Sequence, residues 1–509
     1  MSFKRFLSKT AVAAAVIAMA GAAGAAENSL AADVVVVGGG AAGMAAATAS
    51  VDAGLKTVLL EKNAFVGGGA ALAEGLFGAQ TEWQRLRNYS LPVDYAYDRI
   101  MNFTHYKANG ALVKRFLRGS AGNLDWLAAH GMKFNLTQMS TTELISWHVV
   151  GPYKGTEHGA AYIQLLNDYV LAHGGKIYTN TPAKSLIKEG GRVVGVKAAD
   201  NKGNTYTIRA KAVVIASGGY GNSPEKLRDW AHVNPKLVQP TAPLNKTGDG
   251  IVMAREAGAA PGPVGLMLHP GTEGKGIKFL GDLYSLTWAP RSMWVNADGN
   301  RFVRETVVHE FSDTGNALIA QRGEYAWAIF DENQVKFYET KGIDNGVGVL
   351  IPTGKKLTNL RKEMAEADAA NSDGFKSAAT LDELAAKIGV PEKNFKAAVE
   401  QYNKACEVGY DAAFQKESPW LVPLKKGPFH ALRVKPYHFT SYGGVVVDQY
   451  LRALDTNGKP ITGLYVTGMD ASGTYGDTYP VFTSGNAFGF SSWSGHAAVT
   501  QAIKDLKLK

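Results

Sequence analysis

Cysteine is almost absent from this chain: Cys406 is the only one in 509 residues. An internal disulfide is therefore excluded, and so is a thiolate metal cluster; no metal site is expected. No C-x-x-C-H occurs, so the chain attaches no c-type haem of its own. Cys406 stands at helical spacing from Phe395, Val399 and Tyr402 and reads as a small core residue. Charged residues make up 19%, and the surplus of +9 is spread without a dense Lys/Arg run. That pattern is a solvated surface and excludes a nucleic-acid groove. Repeats and low-complexity linkers are missing too. What remains is 46% hydrophobic, a globular composition too long for one core, so two or more domains are expected.

The first residues read as a secretory leader. Lys4, Arg5 and Lys9 form a basic start, Thr10 to Ala20 is apolar and too short to span a bilayer, and Ala23-Gly24-Ala25 is an A-x-A cleavage signal. Residues 1–26 are expected to be removed, with the mature protein exported to a periplasm. Lys4-Arg5 is not a twin-arginine pair, so the export route stays open. No later run reaches transmembrane length.

The chain is organised around Asp33 to Lys62. Val34 to Val37 is a short, wholly apolar β-branched run, the pattern of a strand buried on both faces of a parallel sheet. It enters Gly38-Gly39-Gly40-Ala41-Ala42-Gly43, a G-x-G-x-x-G. Gly38 serves the tight turn, Gly40 lets phosphate approach the backbone, and Gly43 lets helix and strand pack closely. Ala41 to Val51 is a good helix whose N-terminal N–H groups face an anion. Thr57 to Leu60 is the second strand, and Glu61 ends it, placed to bind an adenosine ribose. The set predicts a bound dinucleotide.

Further on, Phe65 to Gly75 holds a second glycine-rich turn. Asp94 to His130 and Ala160 to His173 read as amphipathic helices, stopped by Gly131 and Gly174-Gly175. Lys176–Tyr178, Ala183–Lys188, Val193–Ala198 and Thr205–Ile208 read as a meander of short strands. Ala212 to Ala216 is a buried strand that runs into Ser217-Gly218-Gly219. Thr247-Gly248-Asp249-Gly250 precedes another helix. From about Leu266 to Ser441 the pattern mixes strands and helices, and from Gly443 it returns to strand–glycine–helix. The fold class expected is α/β: a Rossmann-like domain of residues 32–265 and 442–505 with an inserted α+β capping domain, 266–441.

The blocks VVVVGGGAAG, AVVIASGGYG, KTGDGIVMAREAGAA, WVNADGNRFVRE and GLYVTG…SGNAFG, in this order, resemble the fumarate reductase/succinate dehydrogenase flavoprotein family. The likeness covers about residues 32–505. It is nearest the soluble periplasmic branch of fumarate, urocanate and arylacrylate reductases, and the 3-ketosteroid Δ1-dehydrogenases belong to the same superfamily. The resemblance implies non-covalent FAD. The positions that match the family's cofactor contacts are Gly38, Gly40, Ala42, Gly43, Glu61, Lys62, Gly68, Gly69, Gly75, Ala216, Gly218, Gly219, Asp249, Gly468, Asp470, Ser484, Asn486 and Ala487. Ala70 and Ala71 stand where the family has a hydroxyl residue and a Lys, and Met469 stands where it has Glu, with Asp470 following.

In the same likeness, the family's proton-donating Arg becomes His309, followed by Glu310. Its relay Glu becomes Trp288 beside Thr287, and its relay Arg is matched by Arg291. The His-Pro pair that binds one substrate carboxylate is kept as His269-Pro270. A second substrate His is replaced by about Thr440, and the Arg clamp by Phe482 or its neighbour. A buried dianion needs charge-assisted partners, and each missing one leaves several kcal/mol of desolvation uncovered. These losses argue against fumarate. Trp288, Phe482, Tyr442, Tyr475 and Tyr479 are expected to line an aromatic pocket instead. Gly476 to Pro480 also resembles a ketosteroid-dehydrogenase segment in which a Tyr polarises the ketone.

The expected activity is therefore reduction of the C=C bond of a bulky or aromatic α,β-unsaturated carbonyl compound. Tyr479 or His269 would hold negative charge on the carbonyl oxygen, and His309 or Arg291 would supply the proton. Electrons would come from a separate periplasmic cytochrome or flavin protein. The alternatives are a 3-ketosteroid Δ1-dehydrogenase-like enzyme and an electron-transfer flavoprotein without turnover.

Overall fold

The computed structural model describes residues 26–139 and 144–508. The leader lies outside the described residues, apart from Ala26 at its end.

The expected parallel strand is there and is longer than its apolar run. It spans Glu27–Val37, half-buried at first and closed from solvent only at Val34–Val37. The polar residues Glu27, Asn28 and Ser29 carry no strand signal; they are held by pairing with Thr205–Ile215, from Glu27 opposite Thr205 to Val37 opposite Ile215. On its other side Val34–Val37 pairs in parallel with Thr57–Leu60. The sheet order is Arg452–Leu454, Pro460–Val466, Thr205–Ile215, Glu27–Val37, Thr57–Leu60, Lys176–Tyr178.

The expected meander is rearranged. Lys176–Tyr178 leaves it to pair in parallel with Thr57–Leu60. Ala183–Glu189 and Arg192–Ala199 form a hairpin on the first half of Thr205–Ile215. The two strands read around Ile208 and Ala212 are thus one, because its first half completes the hairpin sheet while its second half runs through the core.

Helix Ala41–Asp52 covers one face of this sheet and is buried along nearly its whole length. It packs against the final helix, Asn486–Leu506. Close approach explains its composition: a Cβ on Gly43 would sit 1.8 Å from the Gly38 carbonyl oxygen, so only glycine lets helix and turn meet.

A second sheet is built on Phe429–Val445, a strand of 17 residues. It pairs antiparallel with Pro261–Gly271, Ala326–Asp331 and Phe375–Ala378. Ala326–Asp331 is buried on both faces, and its side chains alternate between two cores. Ala326, Ala328 and Phe330 join one, while Trp327 and Ile329 join the other. The sequence positions 265/266 and 441/442 face each other on the Pro261–Gly271 ladder, where Gly265 pairs with Tyr442 and Leu266 with Ser441. Apolar contact is continuous there: Leu266, Trp288 and Phe311 pack in the same cluster as Val34 and Leu464. Among the described residues, no helix is long and apolar enough to cross a membrane.

Candidate active site

A cavity of about 640 Å³ opens where the glycine turns of the first sheet meet the second sheet. The N-terminal turn supplies Gly38, Gly40 and Ala42, the second turn Gly68, Gly69 and Gly75, and the strand ends Ala216, Gly218 and Gly468. Glu61, Lys62, Asp249, Ser484 and Ala487 also line it. A Cβ on Gly40 would meet nothing nearer than the Gly67 oxygen at 3.9 Å. Backbone at Gly40 is therefore bare to the cavity, at the N-terminus of a buried helix whose N–H groups favour an anion.

Glu61 closes this turn. Its carboxylate accepts from the Gly39 N–H and the Asn63 N–H, each at 2.8 Å. Lys62 donates to Thr247 Oγ1 and Asp249 Oδ2, both at 2.7 Å, tying the second strand to the helix after Thr247. The lysine holds the Asp249 carboxyl below its ordinary range against the opposing effect of burial. Glycines open to the cavity, a helix N-terminus and a ribose-side acid are the donor set a dinucleotide needs, and the residues present fit FAD.

Four expected cofactor residues serve the site from behind. Gly43 packs helix on turn. Gly219 packs against Ser441, where a Cβ would lie 2.6 Å from its Oγ. The buried Asp470 carboxylate accepts from the N–H groups of Ser217, Gly218 and Gly219 and from the Ser217 hydroxyl. It is therefore spent on holding the turn and does not line the cavity. Asn486 is likewise turned inward, bonded to Tyr475 and Thr483.

The substrate-side expectations divide. Trp288 and Tyr479 line the cavity, joined by Phe311, Phe439, Tyr284 and Met267. The Trp288 Nε1–H is buried without a partner among the described residues. Tyr479 Oη accepts from the Ala487 N–H at 3.0 Å. Phe482, Tyr442, Tyr475 and Thr287 do not line it. Phe482 lies against Phe103 and under the Arg99 guanidinium. Tyr442 packs over Gly265, and the Tyr475 hydroxyl donates to Asn486. Thr287 donates to the Tyr284 carbonyl.

The two expected proton donors are each held by contacts of their own. The turn Glu305–His309 is pinned by Arg301 on Glu305 and by Thr306 on Glu417. His309 therefore ends against Trp420, with ring centroids 5.5 Å apart. Burial lowers its pKa, against the attraction of Glu417 and Asp344. Arg291 pairs with Asp344 and lies 4.0 Å over the Phe337 ring. Neither lines the cavity.

His269 sits one layer back. It is fully buried, stacked on Phe439 at 3.9 Å, and burial pushes its pKa down to about 3. The neutral ring donates from Nδ1 to the Pro270 carbonyl, so Nε2 accepts from the Thr241 hydroxyl at 2.6 Å. Thr241 lines the cavity, so His269 reaches it only through that hydroxyl.

Sequence reasoning missed Lys246 and Glu74. Lys246 is buried, lines the cavity and donates to Thr440 Oγ1 at 3.0 Å; burial lowers its pKa to about 8. Glu74 lines it as well, and burial raises its carboxyl to about 7. An acid inside the apolar run Ala70 to Phe77 was a signal for Glu74, whereas Lys246 looked like any polar residue ahead of a helix.

Residues 33–485 match the FAD binding domain family. The chain belongs to this family of flavoproteins. FAD is its cofactor. It is 32% identical over 463 residues to the vinyl phenol reductase of Lactiplantibacillus plantarum, across 89% of this chain and 92% of that protein. The fold superposes on the open conformation of a flavocytochrome c3 fumarate reductase with a TM-score of 0.68 and 25% identity, covering 99% of this chain and 82% of that one. A 3-ketosteroid Δ1-dehydrogenase from Sterolibacterium denitrificans shares the fold, with a TM-score of 0.75 and 20% identity, over 93% of this chain and all of that one.

Proposed function

We propose that this flavoprotein reduces the C=C bond of an aryl-substituted or otherwise bulky alkene conjugated to an oxygen function: an enoate, an enone or a vinyl phenol. The observation that carries the reading is the cavity wall. It is aromatic at Trp288, Phe311, Phe439 and Tyr479, and no arginine lines it among the described residues. His269 reaches it as a neutral ring through the Thr241 hydroxyl, and His158 lines it directly. Of the two lysines that line it, Lys62 is paired with Asp249, so among the described residues a dianion such as fumarate would meet Lys246 alone and leave its second charge without a cationic partner. The similarity to a vinyl phenol reductase supports an aromatic substrate.

When bound, FAD supplies the hydride. The chain's own residues do the rest. The turn at Gly40 would hold the cofactor's phosphates, and Trp288 and Phe439 would exclude water and sandwich the substrate's ring. Tyr479 would donate to the substrate's oxygen as charge grows there and hand over the proton that balances the hydride, its own proton then being replaced from solvent. Residues 266–441 form the domain that closes over the cofactor domain, hinged at the ladder of Gly265 and Tyr442. A leader of residues 1–26 exports the protein to the periplasm, where a separate cytochrome or flavin protein donates electrons.

The purified holoenzyme, assayed with reduced viologen, should reduce cinnamate-like acids, aryl enones or vinyl phenols and leave fumarate nearly untouched. Efficient fumarate reduction would sink the reading. The reverse reaction, placing a double bond beside a ketone, is the second reading, favoured by Tyr479 on the cavity wall. It would show as steroid-ketone oxidation with an artificial acceptor.

A further inference from the structure

Two lysines line the cavity, Lys62 and Lys246. Lys62 is spent on Asp249. Lys246 has no carboxylate within ion-pair distance among the described residues, although it is 8% exposed. Its Nζ donates to Thr440 Oγ1, and the Thr440 hydroxyl passes its own proton to the Ser441 carbonyl at 3.1 Å. Thr440 thus acts on Lys246 purely as an acceptor, which braces the ammonium and leaves two of its three N–H groups for a ligand.

The charged and titratable groups around it do not neutralise it. Asp470 attracts it from a distance, but that carboxylate is already satisfied by three backbone N–H groups and a hydroxyl. His438, on the same strand as Thr440, is buried and held neutral, and its ring nitrogens have no partner among the described residues. The ammonium lies between two glycine turns: a Cβ on Gly69 would be 3.6 Å from Nζ, and one on Gly218 would be 3.4 Å from Lys246 Cδ. The neighbouring strand residue, Phe439, supplies part of the aromatic wall. A desolvated cation beside an aromatic wall is costly unless an anion joins it.

We propose that Lys246, braced by Thr440, is the seat for the single acidic oxygen of the substrate, the carboxylate of an arylacrylate or the phenolate of a vinyl phenol. The inference rests on the proposed function, with the aromatic end of the cavity taken as the substrate site. One cation fits one anionic group, so it sets the enzyme's preference for monoanions.

The test is equilibrium binding to oxidised, FAD-loaded enzyme, read from the flavin absorbance difference spectrum without turnover. Two pairs of saturated analogues serve as probes: 3-phenylpropanoate with its amide, and 4-ethylphenol with 4-ethylanisole. Wild type should bind the acidic member of at least one pair 10-fold or more tightly than its neutral partner. Lys246→Met should collapse that ratio to near one while the neutral ligand's Kd stays within about threefold, and Lys246→Arg should restore part of it. The pair that collapses assigns the oxygen as carboxylate or phenolate. Unchanged ratios in Lys246→Met would overturn the proposal. So would loss of FAD from Lys246→Met with the ratios intact after reconstitution, since the cation would then serve the cofactor. Discrimination through Lys246 in an enzyme that reduces no alkene would uphold the seat and refute the proposed reaction.

Discussion

Arg291 is paired with Asp344 with its guanidinium 4.0 Å over the Phe337 ring, and neither member of the pair lines the cavity. His309, packed on Trp420, stands apart from the cavity in the same way. A proton donor must come within hydrogen-bond reach of the reacting carbon or act through one water. His309→Ala should therefore leave substrate-driven reoxidation of the pre-reduced flavin within about threefold of wild type. Tyr479→Phe should slow it by about 10²-fold, the scale of one lost acid or oxyanion donor. Rapid mixing of both variants checks this, and a slow His309→Ala trace would return that residue to the chemistry.

Gly40 faces the cavity with no neighbour closer than 3.9 Å to a built Cβ. Gly40→Val fills that space without disturbing the fold around it. The variant should purify colourless, with a thermal transition close to that of wild-type apoprotein. A yellow protein with full FAD content would contradict the assignment of this turn to the cofactor.

Glu74 accepts from the backbone N–H groups of Val349 and Leu350, and burial nevertheless raises its carboxyl to about 7. A raised carboxyl binds its proton more tightly in the folded state. Its contribution to stability is full below the unfolded value of 4.5 and is lost as pH rises through 7. Glu74→Gln removes that loss. Between pH 5 and pH 8 its unfolding free energy should gain on wild type by on the order of 2–3 kcal/mol. Urea titrations across pH read the difference; parallel profiles would contradict it.

Arg301 is enclosed by Glu305 and Asp411, and Lys416 lies 3.2 Å from the same Glu305, all with side chains at most 1% exposed. Glu305→Ala leaves two buried cations short of an anion. It should cost about 3–5 kcal/mol, the usual penalty for breaking a buried ion network. Denaturant unfolding checks this, and a loss under 1 kcal/mol would show the network to be solvated.

The glycine spacing from Gly38 to Gly43 with Glu61 was legible because each glycine answers a local steric demand. The buried strand Val34–Val37 was legible from its unbroken β-branched run. Its extension to Glu27 was not, since the pairing with Thr205 lies about 180 residues away in sequence. Side-chain direction was the other gap. Asp470, Phe482 and His309 occupy the right blocks but turn to Ser217, Arg99 and Trp420, and those contacts come from elements no local pattern connects. Lys246 was invisible for the converse reason: a lysine before a helix is ordinary until Thr440 is folded against it.

The most direct test of the central claim mixes dithionite-reduced, desalted holoenzyme anaerobically with a cinnamate-like acid, an aryl enone, a vinyl phenol and fumarate, and follows flavin reoxidation. The account predicts fast reoxidation by at least one aryl substrate and, with fumarate, a rate at least 10²-fold lower. Reoxidation by fumarate at a comparable or higher rate, or by none of the four, would contradict it.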